Sequence, residues 1–298
     1  MLRVGTFNVE NLFARYRFKQ NFDSVAEDGF SINNLAFNIY DEDSKKITAK
    51  AIRETDADVL ALQEAENLGV LDRFNSRYLA SMKYKYRILV DAFDPRNIDV
   101  ALLSRYPIKK VVTYRHERNK ANTASLFSRD CLEVDIEAEG KILTLYVNHF
   151  KSMIETRDET KDRRVEQVNR VAEIITGRWK EVEYVGNFIV LGDFNDYIDD
   201  NTSLTSLVNH DGLVNVSERI YETDRWTHYW AGGDKYHQLD FLLVSKSLAE
   251  QNLNPPQILR KGLPYRAERY GGDRFDAVGE NHPKASDHCP IYIDLNLA

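Results

Sequence analysis

Short runs rich in Val, Ile, Leu, Phe and Tyr recur from one end of the chain to the other, mixed with helical stretches and with no Pro/Gly/Ser linker between them. This pattern constrains the fold most, because buried strands and amphipathic helices in alternation have to stack as layers around a shared core. Strands are predicted over Leu2–Val9, Asp58–Glu64, Asp99–Ser104, Cys131–Ala138, Lys141–Phe150, Phe188–Phe194, Gln238–Ser245 and Pro290–Leu297. The last alternates, with Ile291, Ile293, Leu295 and Leu297 on one face and Tyr292, Asp294 and Asn296 on the other. Phe188–Leu191 is apolar throughout, as a strand covered on both faces requires. The clearest helix spans Thr156–Glu181, where Val165, Val168, Ala172, Ile175 and Trp179 recur three and four residues apart. Others are predicted over Ser44–Glu54 and Leu68–Leu79. Glu10–Asp43 and Arg260–Ser286 keep no steady period, and loops of that length in a compact domain are often functional.

A chain of 298 residues buries roughly 75% of its extended surface on folding, enough for two packed sheets with helices outside. A single domain over residues 1–298 is the economical reading. Forty Lys and Arg against 47 Asp and Glu leave a net charge of −7, which excludes a broadly basic nucleic-acid-coating protein. It does not exclude an enzyme that grips a few phosphates locally. The two cysteines, Cys131 and Cys289, allow neither a disulfide framework nor a zinc site of their own. The opening residues read as a strand rather than a signal peptide, and no run approaches the length of a membrane span. The expectation is a cytoplasmic protein, taken as a monomer.

Polar residues gather where the apolar runs stop. The first strand ends in Thr6-Phe7-Asn8-Val9-Glu10-Asn11 and the second in Leu62-Gln63-Glu64. Others end in Val147-Asn148-His149-Phe150-Lys151 and Gly192-Asp193-Phe194-Asn195-Asp196. His237-Gln238-Leu239-Asp240-Phe241 and Ser286-Asp287-His288-Cys289-Pro290 come near the C-terminus. Strand ends that meet present side chains from rigid elements to one crevice.

These segments, in this order from Gly5 to Ile291, resemble the endonuclease/exonuclease/phosphatase superfamily of DNase I-like and exonuclease III-like enzymes. TFNVENL is similar to its opening strand, LQE to its metal-binding glutamate and GDFND to its G-D-x-N motif. HQLDFLLVS is similar to its penultimate aspartate strand and SDHCPI to its closing S-D-H strand. The resemblance implies an α/β (α+β) four-layer sandwich: two mainly antiparallel sheets face to face, with helices outside. It also implies a phosphodiesterase that depends on Mg²⁺, with Mn²⁺ as a substitute.

The residue types suit that chemistry. Mg²⁺ prefers oxygen ligands and is typically held by one or two carboxylates, which suits Glu64, with Asn8 and Asp287 around it. Asp193 and Asn195, two apart, would point the same way on an extended backbone and could orient a water against phosphorus. His288 is a proton handler poised near neutral pH, with Asp240 to hold and polarise it. His149 and Lys151 share the parity of Leu143, Leu145 and Val147 and should face the crevice. The resemblance implies that His149 contacts the scissile phosphate, and Lys151 could neutralise phosphate charge. Arg164, at the N-terminal end of a helix's inward stripe, calls for a phosphate or carboxylate partner. Arg105 matches an S-R element of several family members and is either a phosphate contact or structural. Arg266 and Arg269, with Arg15, Arg17 and Arg274 among aromatics in the two long loops, suit a phosphate backbone with stacked bases.

The first reading is therefore a nuclease acting on DNA or RNA, with either His288 or Asp193 as the base. A second keeps the chemistry on a phospholipid, as a sphingomyelinase does, or on a small phosphoester. The inositol-phosphatase branch fits poorly, because its W-x-G-D-x-N-(F/Y)-R block is Val190–Asp196 here. The abasic-endonuclease segment is only partly echoed, by Trp226, Trp230 and Leu239-Asp240-Phe241. A catalytically dead binding protein is the third reading, and it is disfavoured by the retained Asn8, Glu64, Asp193, Asn195, Asp240, Asp287 and His288.

Overall fold

A computed structural model describes residues 1–18 and 35–298. The strands in chain order are β1 (Leu2–Leu12), β2 (Ala14–Phe18), β3 (Leu35–Ile39), β4 (Val59–Ala65), β5 (Tyr86–Leu89), β6 (Asp99–Ser104), β7 (Ile108–Thr113) and β8 (Leu132–Ala138). They continue as β9 (Lys141–His149), β10 (Phe188–Asp193), β11 (Leu213–Asn215), β12 (His228–Trp230), β13 (Lys235–His237), β14 (Asp240–Ser245), β15 (Gln257–Ile258) and β16 (Ile291–Leu295). The principal helices are α1 (Glu42–Thr55), α2 (Leu68–Tyr78) and α3 (Arg157–Trp179).

Two six-stranded sheets run in the orders β15-β16-β1-β4-β6-β5 and β11-β14-β10-β9-β8-β7. In the first only β1 and β4 are parallel, and in the second only β9 and β10. A parallel pair needs a crossover, and helices supply it: α1 between β1 and β4, α3 between β9 and β10. The first and last strands lie side by side, Leu2 opposite Leu295 and Thr6 opposite Ile291.

Alternation along each strand builds the layers. Val4, Val59, Ala61, Leu145, Val147, Ile189, Leu191, Leu242, Val244, Ile291 and Ile293 fill the space between the sheets. Each fully buried Val, Leu or Ile among them contributes about 1.5–3 kcal/mol. Leu60, Leu62 and Leu103 on the outer face meet Ile47, Ile52 and Phe74 of α1 and α2. Phe188 and Val190 meet Val168, Val171 and Ile175 of α3 on the other side. The four layers are those implied by the resemblance.

Local chemistry sets the element ends. Thr156 caps α3, its hydroxyl accepting from the Glu159 amide at 3.2 Å and donating to the Glu159 carboxylate at 2.8 Å. The buried stripe of α3 includes Arg164, Gln167, Val168, Val171, Ala172 and Ile175, and the expected Val165 is only half-buried. Within Glu10–Asp43, β1 runs on to Leu12 and continues into an antiparallel β2–β3 ribbon; residues 19–34 of that stretch lie outside the described residues. Arg260–Ser286 forms neither helix nor strand. Its arginines satisfy backbone carbonyls that regular structure would otherwise pair. Arg274 donates to Leu263, Tyr270 and Ala267, at 3.1, 2.9 and 2.9 Å, and Arg260 to Trp226 at 2.8 Å. No helix among the described residues is long and apolar enough to cross a membrane.

Candidate active site

At one end of the inter-sheet core the inward-facing columns change from apolar to polar. Val4 and Thr6 lead to Asn8, Val147 to His149, and Leu191 to Asp193, while Asp240 precedes Leu242. Register places His149 beside Asp193 and Asp193 opposite Asp240. The last polar rung of the core is thus the floor of a crevice.

Glu64 reaches this crevice by a different route. Leu60 and Leu62 face the helices, so simple alternation would send Glu64 there too. Instead β4 shifts register between Gln63 and Ala65, and Glu64 takes φ +69°. A bulge with a left-handed residue re-aims a side chain at a conformational cost of order 1–3 kcal/mol. β1 breaks its pairing opposite, with Glu10 and Asn11 at φ +46° and +62°. The buried ammonium of Lys45 pins that turn, donating to the carbonyls of Val9 (2.5 Å) and Glu10 (2.7 Å). The Asn11 amide donates to Glu64 Oε2 at 3.1 Å. Asn8 bridges two carboxylates: its Nδ2 donates to Glu64 Oε1 at 3.3 Å and Asp193 Oδ2 at 3.1 Å, while its Oδ1 accepts from the Glu10 amide at 3.0 Å.

Asp193 and Asn195 converge, although not along an extended strand. Asn195 sits in a turn at φ +51°, with its amide donating to Asp193 Oδ1 (2.9 Å) and its Nδ2 to Asp193 Oδ2 (3.0 Å). Gly192 permits the close approach, since a Cβ there would lie 1.9 Å from the carbonyl oxygen of Asn148. His149 Nε2 is 3.3 Å from Asp193 Oδ2 and 3.9 Å from Glu64 Oε1.

The second half of the site is a buried His–Asp couple. His288 Nδ1 lies 2.8 Å from Asp240 Oδ2, and His288 Nε2 lies 3.7 Å from Asp193 Oδ2. Thr227, which sequence reasoning missed, locks the couple. Its Oγ1 accepts from the amides of Leu239 and Asp240 at 3.1 Å, so its proton goes to Asp240 Oδ2 at 2.7 Å. Ser286 Oγ donates to the Asn8 carbonyl at 2.8 Å and accepts from the His288 amide at 3.0 Å, tying the closing segment to the first strand.

Electrostatics sharpens these roles. Burial disfavours the His288 imidazolium, but Asp240 and Asp193 overcome it and raise its pKa well above the ordinary value. Burial also opposes ionisation of Asp193 and is overcome, as neighbouring His288 and His149 hold its carboxyl below the usual range. His149 goes the other way: burial and then the Arg129 guanidinium lower it to about 4, so it is neutral at pH 7. Glu64 is raised by burial and by the Asp287 charge. Glu64 and Asp287 are hard oxygen donors whose mutual repulsion a divalent cation would relieve, so the set fits Mg²⁺ or Mn²⁺. The Asn8 Oδ1 accepts from the Glu10 amide and keeps a second lone pair, while its Nδ2 organises the two carboxylates.

A cleft of ≈ 520 Å³ opens beside His288, lined among others by Asn195, Tyr197, His228, Trp230, His237 and Asp287. Two of these, Tyr197 and His228, escaped the sequence reading, and Trp230 and His237 were given no role in it. Tyr197 and His237 stack with ring centroids 5.0 Å apart, and the His228 ring packs 4.6 Å from that of His288. The buried Arg129, bonded to Asp94 and the Phe150 carbonyl, was missed as well.

Several expected substrate contacts lie elsewhere. Arg164 is fully buried, donating to Thr160 Oγ1 (2.5 Å), Arg157 O (2.6 Å) and Lys151 O (3.3 Å), with Asp196 3.7 Å from its Nε. Its partner is a carboxylate of the chain itself. Arg105 pairs with Asp56 and Asp58 at the far end of β4, away from the crevice. Arg266 is exposed, and Arg269 packs over Trp226 and Tyr236 with a bond to the Thr223 carbonyl; neither lines the cleft. Arg15 and Arg17 have side chains outside the described residues. Lys151 stands beside the cleft wall, its ammonium 2.7 Å from Glu155.

The architecture recurs in solved structures. The truncated TDP2 of Caenorhabditis elegans superposes with a TM-score of 0.60 at 16% identity, over 98% of this chain and 95% of that one. Beta toxin from Staphylococcus aureus gives 0.62 at 16% identity, over 98% and 99%. The 3′ phosphatase NExo from Neisseria, bound to product DNA hairpin, gives 0.57 at 13% identity, over 99% and 100%. At such identities the likeness speaks for the fold alone. No curated protein matches the sequence. The family model described as "Endonuclease/Exonuclease/phosphatase family" does match, over residues 3–296, a span that takes in every strand-end segment of the crevice. With both fold and sequence model in agreement, the chain belongs to the endonuclease/exonuclease/phosphatase family.

Proposed function

We propose that this protein is a divalent-metal-dependent phosphodiesterase that hydrolyses nucleic acid by in-line attack of water. One observation carries the proposal: Asn8 joins Glu64 to an Asp193 fixed by two amides, the Asp240–His288 couple faces that Asp193, and Asp287 lies near enough for its charge to act on Glu64. Bound through Glu64 and Asp287, Mg²⁺ or Mn²⁺ would supply charge neutralisation at the phosphoryl oxygens. Asp193, its Oδ2 held by Asn8 and Asn195, orients the attacking water and takes its proton. His288, kept protonated by Asp240, faces the same point and stabilises the charge that develops on phosphorus or donates to the leaving oxygen. His149 is neutral, so it offers a hydrogen bond without competing for the cation. The choice of nucleic acid is supported by the flat rings in the cleft wall, Tyr197, His228, Trp230 and His237, and by the DNA-bound 3′ phosphatase among the structural relatives.

The test is hydrolysis of single-stranded DNA, duplex DNA, RNA and sphingomyelin vesicles in parallel, with Mg²⁺, Mn²⁺ or excess chelator. Metal-dependent cleavage of at least one oligonucleotide is expected. Turnover of sphingomyelin alone, or cleavage that persists in chelator, would overturn the reading.

A further inference from the structure

The hairpin of β12 and β13 carries Trp230 at its tip, opposite Lys235 in register and half exposed at 50%. An exposed indole needs a reason, since large aromatics bury themselves where they can. The turn beyond it is Ala231-Gly232-Gly233-Asp234. Neither glycine has the left-handed φ that would call for glycine. Space explains them: a Cβ on Gly232 would meet the indole Nε1 at 3.0 Å, and one on Gly233 would meet Cζ3 at 2.4 Å. The indole therefore lies across bare backbone, held on one side by the turn and open on the other. Both ends of the platform are in the wall of the cleft that contains His288 and Asp287. Met153 and Ile154 line the same cleft, the latter 74% exposed.

We infer that Trp230 is a preformed stacking platform for one unpaired nucleobase next to the scissile phosphate, with Met153 and Ile154 as apolar neighbours in the cleft wall. This rests on the phosphodiesterase reading and narrows it to substrates whose base is out of a duplex. A cleft of ≈ 520 Å³ is within the range of small-molecule sites, roughly 300–1,000 Å³, so one nucleotide suits it. Beyond the indole stand rings with polar edges: Tyr197 stacked on His237, and His237 6.5 Å from His228. A lipid tail would leave those polar edges unpaired, whereas a base and sugar give them partners. Trp230 has Lys235 as its cross-strand neighbour, so a phosphate neighbouring the stacked base meets a cation.

The experiment is equilibrium binding by fluorescence anisotropy, in chelator so that no cleavage occurs. It compares a labelled single-stranded oligothymidine with an oligomer of the same length that lacks bases. The full chain is expected to prefer the base-containing oligomer by about 5- to 150-fold, the range that stacking of one base supplies. In Trp230→Ala that preference should shrink towards one, while Trp230→Phe keeps most of it. Gly233→Ala should weaken it by pushing the indole off its seat without removing it. No preference in the unaltered chain, or an unchanged preference in Trp230→Ala, overturns the inference. So does loss of sphingomyelin-vesicle binding in Trp230→Ala with the base preference intact, which would make this surface a lipid contact. Because binding is read without metal or turnover, failure of the hydrolysis test leaves this one decisive.

Discussion

Asp240→Asn changes a single atom, at a position where hydrogen bonding is one-sided. The carboxylate is fully buried and both of its partners, His288 Nδ1 at 2.8 Å and Thr227 Oγ1 at 2.7 Å, use the same oxygen. The other oxygen, Oδ1, is buried with no hydrogen-bond partner among the described residues. An asparagine has two orientations here. With its oxygen towards His288, its NH₂ enters a space that offers no acceptor, costing about 1–3 kcal/mol. With its NH₂ towards His288, a donor faces Nδ1 and forces the imidazole into the opposite tautomer. In both, the largest of the charges that keep His288 protonated is gone, and that of Asp193 remains. Removing one partner of a buried pair typically costs about 3–5 kcal/mol; if expressed in the transition state, this lowers kcat roughly 10²- to 10⁴-fold. The assay is kcat on a small chromogenic phosphodiester at saturating Mg²⁺, for Asp240→Asn, His288→Ala and the double variant. If the two residues act as one unit, the double variant is barely slower than His288→Ala. Multiplicative losses, or a pH profile for Asp240→Asn identical to that of the unaltered enzyme, would refute the couple.

Other contacts lead to three more expected outcomes. Glu64→Gln should raise the Mg²⁺ concentration for half-maximal activity by roughly 100-fold or more, with partial rescue at high metal; unchanged metal dependence would remove Glu64 from the cation site. Arg164→Met strips donors from the buried carbonyls of Arg157 and Lys151, so thermal unfolding should show a loss of about 2–5 kcal/mol with little change in KM, and a raised KM with unchanged stability would restore Arg164 as a substrate contact. Asp99 is pushed up to about 7, first by burial and then by the nearby charges of Asp91, Asp94 and Asp130. An acid whose pKa is raised on folding binds more protons in the folded state, so stability is greatest below its ordinary pKa of 3.8 and is lost as pH climbs towards 7. Asp99→Asn should therefore raise Tm increasingly between pH 4 and pH 8; a gain that is flat with pH would contradict the assignment.

Side-chain alternation made much of the site readable in advance. His149 continues the column of Leu145 and Val147 to the crevice, and Asp193 that of Ile189 and Leu191, because a pleated strand leaves each only two directions. Glu64 obeys no such rule. Its direction depends on a bulge stabilised by Lys45 and Asn11 from elsewhere in the chain, and alternation alone would have turned it to the helices. Thr227, His228 and Trp230 sit on or beside a three-residue strand too short for periodicity to reveal. The arginines misled for a simpler reason. A guanidinium suits a phosphate and a row of loop carbonyls equally well, and only the fold decides which lies closer. In Arg164 and Arg274 the carbonyls prevail.

The pairing of β1 with β16 has a consequence for biogenesis. Asn8 is synthesised long before Asp287 and His288, since nearly the whole sequence separates them, and the contact of Ser286 with the Asn8 carbonyl joins them. A growing chain can pack α1 and α2 on β4 early, yet β1 keeps an open edge until β16 leaves the ribosome. The reactive crevice therefore assembles as one of the final events of folding, after the distant segments meet. A chain released prematurely, just before Ser286, would lack the histidine and one carboxylate together, so under the proposed mechanism an incomplete translation product would not hydrolyse phosphodiesters.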